Sequence, residues 1–188
     1  TKALTGADLV IGSERQLETV AHLLASEQRM LPLPSLRVLQ QELEQHRQRG
    51  AASIAMLASG DPLYYGIGRW FSRRFDKQDL HYYPAVSSVQ AACHRLGLSL
   101  QDVRVLSLHG RPLEKIRSCL KGNETLVILT DKHSTPQVLA RECIAAGFEQ
   151  STLTLCETLG YAQEQVSRFE AESLATSKQA FDPLHVTV

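Results

Sequence analysis

The chain reads as an α/β protein, and two observations carry that reading. Short apolar runs alternate with amphipathic helical patterns along most of its 188 residues, the order of elements that sets helices against the faces of a sheet. One run, Ile54 to Ala58, empties directly into Ser59-Gly60-Asp61-Pro62-Leu63-Tyr64-Tyr65-Gly66-Ile67-Gly68. A glycine-rich loop at a strand end is where an open α/β fold builds a ligand crevice.

The first third supplies strands and helices in turn. Leu9 to Gly12 reads as a short strand, and Glu14 to Ala25 as a helix, with Leu17, Val20, Ala21 and Leu24 on one face. Leu31 to Leu33 reads as a minor strand. Leu36, Leu39, Leu43 and His46 mark a helix capped by Ser35 and stopped before Gly50. Ser53 to Ala58 then reads as a fully buried strand, with a helix over Gly68 to Phe75 after the loop.

The middle third repeats the alternation. A strand is expected over Leu80 to Tyr83, a helix over Val89 to Leu96 ended by Gly97, and a strand over Asp102 to Leu106. The turn His109-Gly110-Arg111-Pro112 marks the expected boundary between an N-terminal α/β domain, residues 1–108, and a C-terminal α/β domain, residues 109–188. Beyond it come a helix over Leu113 to Leu120, a strand over Glu124 to Leu129, a helix over Thr135 to Ala146 closed by Gly147, and a strand over Ser151 to Glu157. The rhythm then shifts to Gln165 to Phe169, a helical turn at Glu172 to Ala175, and a last strand at His185 to Val188. Late strands with little helix between them predict an antiparallel contribution to a mixed sheet.

Composition excludes several classes of function. Twenty basic residues balance twenty acidic ones, which argues against the concentrated positive field that nucleic-acid phosphates need. Arg47-Gln48-Arg49 and Arg73-Arg74 read as solvated helix faces. No apolar run approaches the roughly 18 residues of a membrane span, and Thr1 to Asp8 lacks the apolar core of a signal peptide, so a cytoplasmic protein is expected. Cys93, Cys119, Cys143 and Cys156 are too dispersed for a zinc knuckle or redox pair and read as reduced, largely buried thiols. No metal site is expected.

Within the loop, Gly60 allows a sharp turn, Pro62 fixes φ, and Gly66 and Gly68 leave room for a ligand or a crossing chain. Asp61 would sit at a strand end, where its carboxylate can accept hydrogen bonds. The same pattern suits an ordinary β-to-α turn, so the residues alone leave both readings open.

The ten residues Ser59 to Gly68 resemble the cleft segment of the tetrapyrrole (corrin and porphyrin precursor) methylases, and Tyr64-Tyr65-Gly66-Ile67-Gly68 resembles the corrin C5-methylating branch. Three further segments agree in order. They are Pro84 to Ala92 followed by Arg95-Leu96-Gly97-Leu98, then Val105 to Arg111, then Cys156-Glu157-Thr158-Leu159-Gly160 with Glu164 beyond. The looser likeness runs from about Thr5 to Val188.

That resemblance implies two small α/β domains with a cleft between them, binding S-adenosylmethionine beside a corrin precursor. It implies cofactor contacts at Gly60, Asp61, Ile67, Ser87, Ser88, Thr130 and Asp131, and substrate contacts at Tyr65 and Arg111. Tyr64 and His109 are the expected catalytic residues on the substrate side. Members of the family begin with a short apolar strand and a Gly-x-Gly-Pro-Gly loop. Thr1 falls after that point, so the sequence is expected to lack its N-terminal strand and glycine-rich loop. The expected activity is C-methylation at C5 of precorrin-6Y or cobalt-precorrin-7 in cobalamin biosynthesis. Methylation at another position of a related tetrapyrrole and a non-catalytic binding domain are the alternatives. The resemblance also implies a homodimer and a C15-methylating, decarboxylating partner subunit or domain.

Overall fold

In the computed structural model, residues 2–50 and 53–188 are described. They form two compact units, Thr1–Tyr83 and Pro84–Val188.

The first unit runs α1 (Lys2–Thr5), β1 (Leu9–Gly12), α2 (Glu14–Val20), β2 (Arg29–Pro32), α3 (Leu36–Gln48), β3 (Ile54–Met56) and α4 (Gly68–Phe71). Its sheet has the order β2-β1-β3, with both pairings parallel and Val10 opposite Met30 and Ala55. The central strand Leu-Val-Ile-Gly is buried throughout, because a parallel strand with neighbours on both sides loses water from both faces. Side chains alternate across it. Leu9 and Ile11 pack with Leu39, Leu43, Trp70, Phe71 and Phe75 on one face, while Val10 meets Ala7 and Leu17 on the other.

The second unit holds α5 (Ser88–Leu96), β4 (Val103–Ser107), β5 (Thr125–Leu129), α6 (Pro136–Ala145), β6 (Thr152–Glu157), β7 (Gln165–Glu170), α7 (Ala171–Thr176) and β8 (His185–Thr187). Its strand order is β4-β5-β8-β6-β7. β4 and β5 are parallel, whereas β8 is antiparallel to both β5 and β6, and β7 is antiparallel to β6. The late strands therefore make the sheet mixed: residues 158–164 join β6 to β7 as an antiparallel hairpin, and β8 returns antiparallel to β6 after α7. On one face Val89, Ala92 and Cys93 of α5 cover Val127, Cys156 and Val186. On the other, Leu139 and Ala140 of α6 and Leu174 of α7 cover Leu106, Ile128, Leu153 and Leu155.

Several boundaries differ from those read off the sequence. The division expected between residues 108 and 109 falls inside the second unit, because β4 pairs along its whole length with β5 and α5 packs on the same sheet. Amphipathic patterning shows that a helix covers a sheet and not which sheet it covers. Leu80 to Tyr83 is no strand. Lys77–Asp79 forms a 3₁₀ turn, the next residues pair with no strand among the described residues, and Tyr83 is 68% exposed. β3 is half-buried instead of fully buried, since among the described residues only β1 lies beside it; Ala51 and Ala52, just before it, lie outside the described residues. The helices expected over Glu14 to Ala25 and Leu113 to Leu120 shorten, the first passing into a 3₁₀ turn at Ala21–Leu23 and the second reduced to a 3₁₀ turn at Leu113–Ile116.

Cys93, Cys143 and Cys156 are buried free thiols. Burial, aided by the Glu164 carboxylate, pushes the Cys156 thiol up to about 11, so it stays protonated at neutral pH. No helix of the described residues is long and apolar enough to cross a membrane.

Leu39 is wholly buried against the Trp70 cluster, while Leu36 on the same helix is 46% exposed. Leu39→Ala is expected to lower unfolding stability by about 2–5 kcal/mol, transfer and cavity costs combined, and Leu36→Ala by about 0.5 kcal/mol or less. Denaturant titration followed by the fluorescence of Trp70, the sole tryptophan, measures both.

Candidate functional site

Parallel pairing brings the carboxyl ends of neighbouring strands to one edge, and in each unit the candidate residues gather there. In the first unit β3 leaves the sheet after the Leu57 amide donates to Ile11 O at 2.7 Å. Gly60 then takes φ 65°, a left-handed conformation suited to glycine. Asp61 closes the turn: its Oδ1 accepts from the Leu63 amide at 2.8 Å and its carbonyl from the Tyr64 amide at 3.1 Å.

The far side of the loop is held by one oxygen. Pro62 O accepts from the Gly68 amide at 2.8 Å, and a Cβ at either Gly66 or Gly68 would come within 2.5 Å of it. The room left by these glycines is thus filled by the chain itself. Tyr82 adds a hydrogen bond from its hydroxyl to Gly68 O at 3.2 Å. Tyr64 and Tyr65 meet edge to face, centroids 5.0 Å apart, and both rings are partly exposed. Tyr65 has φ 57°, an uncommon conformation for an aromatic residue. Ile67 points the other way, into the core around Leu9 and Leu39. A further anchor comes from α2, whose Gln16 caps Ser13 and donates from Nε2 to Ser59 Oγ at 3.0 Å. The Ser13-x-x-Gln16 spacing is the local signal that could have found this capping box; the reach of Gln16 to Ser59 leaves none.

In the second unit Leu108 to Arg111 and Thr130 to Ser134 leave β4 and β5 at the same edge. Asp131 joins them. Its Oδ2 accepts from the Gly110 amide at 2.9 Å, and its Oδ1 accepts from the His133 amide at 2.9 Å, the Ser134 amide at 3.1 Å and the Ser134 hydroxyl at 3.0 Å. The Gly110 bond first, then those of His133 and Ser134, hold its carboxyl far below the usual carboxylate range. Arg111 donates from Nη1 to Ser107 O at 3.2 Å, and His109 is exposed at the tip of the turn.

Thr130 engages residues from the end of the chain. Its Oγ1 lies 3.0 Å from His185 Nε2, and His185 Nδ1 lies 2.7 Å from Asp182 O. A carbonyl can only accept, so Nδ1 donates, and in the neutral ring Nε2 accepts from the Thr130 hydroxyl. Asp182 is itself fixed by its amide, which donates to Oε1 of the buried Glu157 at 2.7 Å. Beyond Glu157, Thr158 has φ 48° and bonds from Oγ1 to Gln163 O at 2.8 Å. Glu164 accepts from the Gly160 amide at 2.7 Å and pairs with Arg95 of α5. His185 and Asp182 lie more than fifty residues from Thr130, and no local signal pointed to them.

Ser87 and Ser88 open α5. The buried Ser87 hydroxyl accepts from the Gln90 amide at 3.2 Å, and Gln90 Oε1 accepts from the Ser87 amide at 2.9 Å. Ser87 is therefore spent on its own helix, while Ser88 is exposed. Within the first unit Gly60, Asp61, Tyr64 and Tyr65 share one exposed loop. Within the second, His109, Arg111, Thr130 and Asp131 share one strand edge.

Asp131 makes stability depend on acid. Its folded pKa lies below an unfolded value of about 3.9, so its contribution is complete above that value and is lost as pH falls through the folded pKa. Asp131→Asn is expected to reduce unfolding stability at pH 6, with the difference from the parent chain shrinking below about pH 4. Denaturation curves of both chains across that range check this.

Comparison with known proteins places the chain. The family model described as tetrapyrrole (corrin/porphyrin) methylases matches residues 1–175. A precorrin-6Y C(5,15)-methyltransferase [decarboxylating] of Sinorhizobium is 35% identical over 166 residues, 88% of this chain and 39% of that protein. The chain thus spans about two fifths of that relative's length. The cobalt-precorrin-7 C(5)-methyltransferase of Salmonella typhimurium LT2 is 32% identical over 60% of this chain and 55% of its own. Among solved structures, uroporphyrin-III C-methyltransferase of Thermus thermophilus complexed with S-adenyl homocysteine shares the fold with a TM-score of 0.74 at 20% identity, covering 99% of this chain and 86% of that one. A family model spanning nearly the whole sequence settles the kinship, and the chain belongs to the tetrapyrrole (corrin/porphyrin) methylase family.

Proposed function

We propose that the chain transfers a methyl group from S-adenosylmethionine to C5 of a corrin precursor, precorrin-6Y or cobalt-precorrin-7, in cobalamin biosynthesis. The observation that carries this reading is the family match over residues 1–175, joined to relatives whose names share C5 methylation. C15 methylation and decarboxylation, named for the longer relative, are assigned to a partner domain or subunit. A homodimer and cytoplasmic residence belong to the same proposal.

The residues present suit the chemistry. Bound S-adenosylmethionine supplies a methyl group already activated by its sulfonium, and an electron-rich tetrapyrrole carbon needs alignment more than acid or base. This chain's part is to bind and orient. Gly60 and Asp61 offer a sharp turn with a carboxylate, Ile67 backs that turn from the core, and Ser88 is open at the first turn of α5. Asp131 and Ser87 act by position: the first fixes the loops bearing Thr130, His109 and Arg111, and the second fixes the start of α5. Tyr64 and Tyr65 provide exposed aromatic surface for a flat macrocycle. Arg111 pairs with a peripheral carboxylate, and His109, exposed beside it in the turn, offers its imidazole as a hydrogen-bonding group on the substrate side.

Three measurements test this assignment. Mapping the methylated product by NMR is expected to place the new methyl at C5; a methyl elsewhere on the macrocycle overturns the regiochemistry. Asp61→Ala is expected to weaken S-adenosylmethionine binding by about 1–3 kcal/mol in calorimetry, and Asp61→Asn, which keeps the acceptor for Leu63, recovers the loop and part of the affinity. Arg111→Ala is expected to raise the macrocycle Kd from several-fold to about a hundredfold with cofactor affinity unchanged. Arg111→Lys restores only part, because an ammonium cannot form a planar two-point clamp.

A further inference from the structure

The carboxyl ends of β4, β5 and β6 fall on one edge of the second sheet, because β8 is antiparallel to both β5 and β6 and so sets those two parallel to each other. Ligands of α/β sheets bind outside such an edge. Thr130 is the first residue past β5 there, and it is half-buried. One step beyond the Leu129–Val186 pair, the antiparallel register sets Thr130 across from His185. Residues paired in this way stand on the same face of a sheet, so the ladder itself brings the two side chains together.

We propose that His185 is a positioning residue for the methyl donor. It takes up the one proton of the Thr130 hydroxyl, so that Thr130 Oγ1 meets S-adenosylmethionine only as an acceptor, of an N–H or O–H that the cofactor donates. The inference rests on the methyl-donor reading proposed above and deepens it.

The polarity follows from counting protons. A hydroxyl has one proton and two lone pairs. Asp182 O, 2.7 Å from His185 Nδ1, can only accept, so the proton of the neutral ring sits on Nδ1 and Nε2 is bare. Nε2 lies 3.0 Å from Thr130 Oγ1, and the other partner of that hydroxyl, His185 O, lies at 3.4 Å. Both take the threonine proton and neither supplies one. What Oγ1 has left is lone-pair density, which only a donor can use.

The tautomer is held from behind. The Asp182 amide donates to Glu157 Oε1 at 2.7 Å, and Asp182 Oδ1 accepts from the Leu184 amide at 2.7 Å. Leu184 O accepts in turn from the Thr158 amide at 2.8 Å. Glu157 is buried and is the β6 residue paired with His185 itself. Turning the imidazole over would set ring carbons against both Asp182 O and Thr130 Oγ1, so one ring orientation and one tautomer satisfy the two bonds together.

The consequence is selection by polarity. S-adenosylmethionine presents donors in its ammonium, its ribose hydroxyls and its adenine amine, and acceptors in its carboxylate and ring nitrogens. An acceptor brought to Thr130 would face lone pairs and lose a hydrogen bond that it makes in water, whereas a donor keeps one.

Calorimetry with S-adenosylhomocysteine, the demethylated cofactor, tests this on the full chain. His185→Asn keeps a donor for Asp182 O at the place of Nδ1 and removes the acceptor for Thr130. His185→Gln keeps an acceptor at the place of Nε2 and gives up the bond to Asp182. The first is expected to raise the Kd about three- to tenfold and the second less than about twofold. A merely structural role reverses that order, because the first variant leaves the Asp182 segment anchored. Thr130→Val is expected to raise the Kd about three- to tenfold, and His185→Asn added to it to cost nothing more. Nitrogen NMR of the labelled chain is expected to show the neutral His185 ring protonated on Nδ1 and bare on Nε2, its signals identified by their loss in His185→Gln. In a chain that binds S-adenosylhomocysteine, equal affinity of the parent and His185→Asn, a full effect of His185→Asn on top of Thr130→Val, or a proton on Nε2 each overturns the positioning role alone. A parent chain that leaves S-adenosylhomocysteine unbound overturns the methyl-donor reading, and the positioning role with it.

Discussion

The parallel pairing of strands is the constraint on which the arrangement of this molecule rests. β2, β1 and β3 run the same way, as do β4 and β5. Parallel neighbours cannot be joined by tight hairpins, so each connection crosses back, and within each unit the loops at the carboxyl ends accumulate at one edge of that unit's sheet. Those loops carry backbone groups that the ladders no longer satisfy. Much of the side-chain hydrogen bonding in these loops answers that need: Asp61 for Leu63 and Gln16 for Ser13 in the first unit, and Asp131 for Gly110, His133 and Ser134 in the second.

This division of labour separates, within each unit, residues that shape the loops from residues presented on them. The Asp131 carboxylate, with four donors on its two oxygens, has its acceptor capacity largely spent within the chain. Ser87 is equally committed to the first turn of α5. Tyr64, Tyr65, His109 and Arg111 are instead carried on exposed turns whose backbones are pinned from beneath. Methyl transfer from an activated donor rewards that design, because alignment lowers the barrier where no proton relay is required.

Strain marks the same ends of the strands. Tyr65 follows β3 and Thr158 follows β6, and both hold positive φ, which costs on the order of 1–3 kcal/mol for a residue with a Cβ. Each is held by its surroundings. Tyr65 lies inside the loop closed by Pro62 O, and Thr158 donates from its amide to Leu184 O at 2.8 Å while its hydroxyl binds Gln163 O. Asn123, the third such residue among those described, sits in the turn before β5, where asparagine adopts that conformation readily.

What the sequence determined by itself was local. Apolar runs and helix-ending glycines located β1, α3, α5, β5, α6 and β6 to within a residue or two, because burial periodicity and helix ends are written in neighbouring residues, although Ser35, expected to cap α3, makes no side-chain capping hydrogen bond. The glycine-rich loop after β3 was legible for the same reason, and its family likeness named residues before any geometry existed. Tertiary structure decided what depends on distant partners. It assigned α5 and β4 to the second sheet, left Leu80 to Tyr83 without a strand partner, and placed β3 at an edge of the described sheet. It also brought His185 and Asp182 to Thr130, and Asp131 to Gly110. Pairing and packing between segments tens of residues apart leave no periodic trace in either segment, so only the folded chain reveals which of its polar side chains are spent on holding it together.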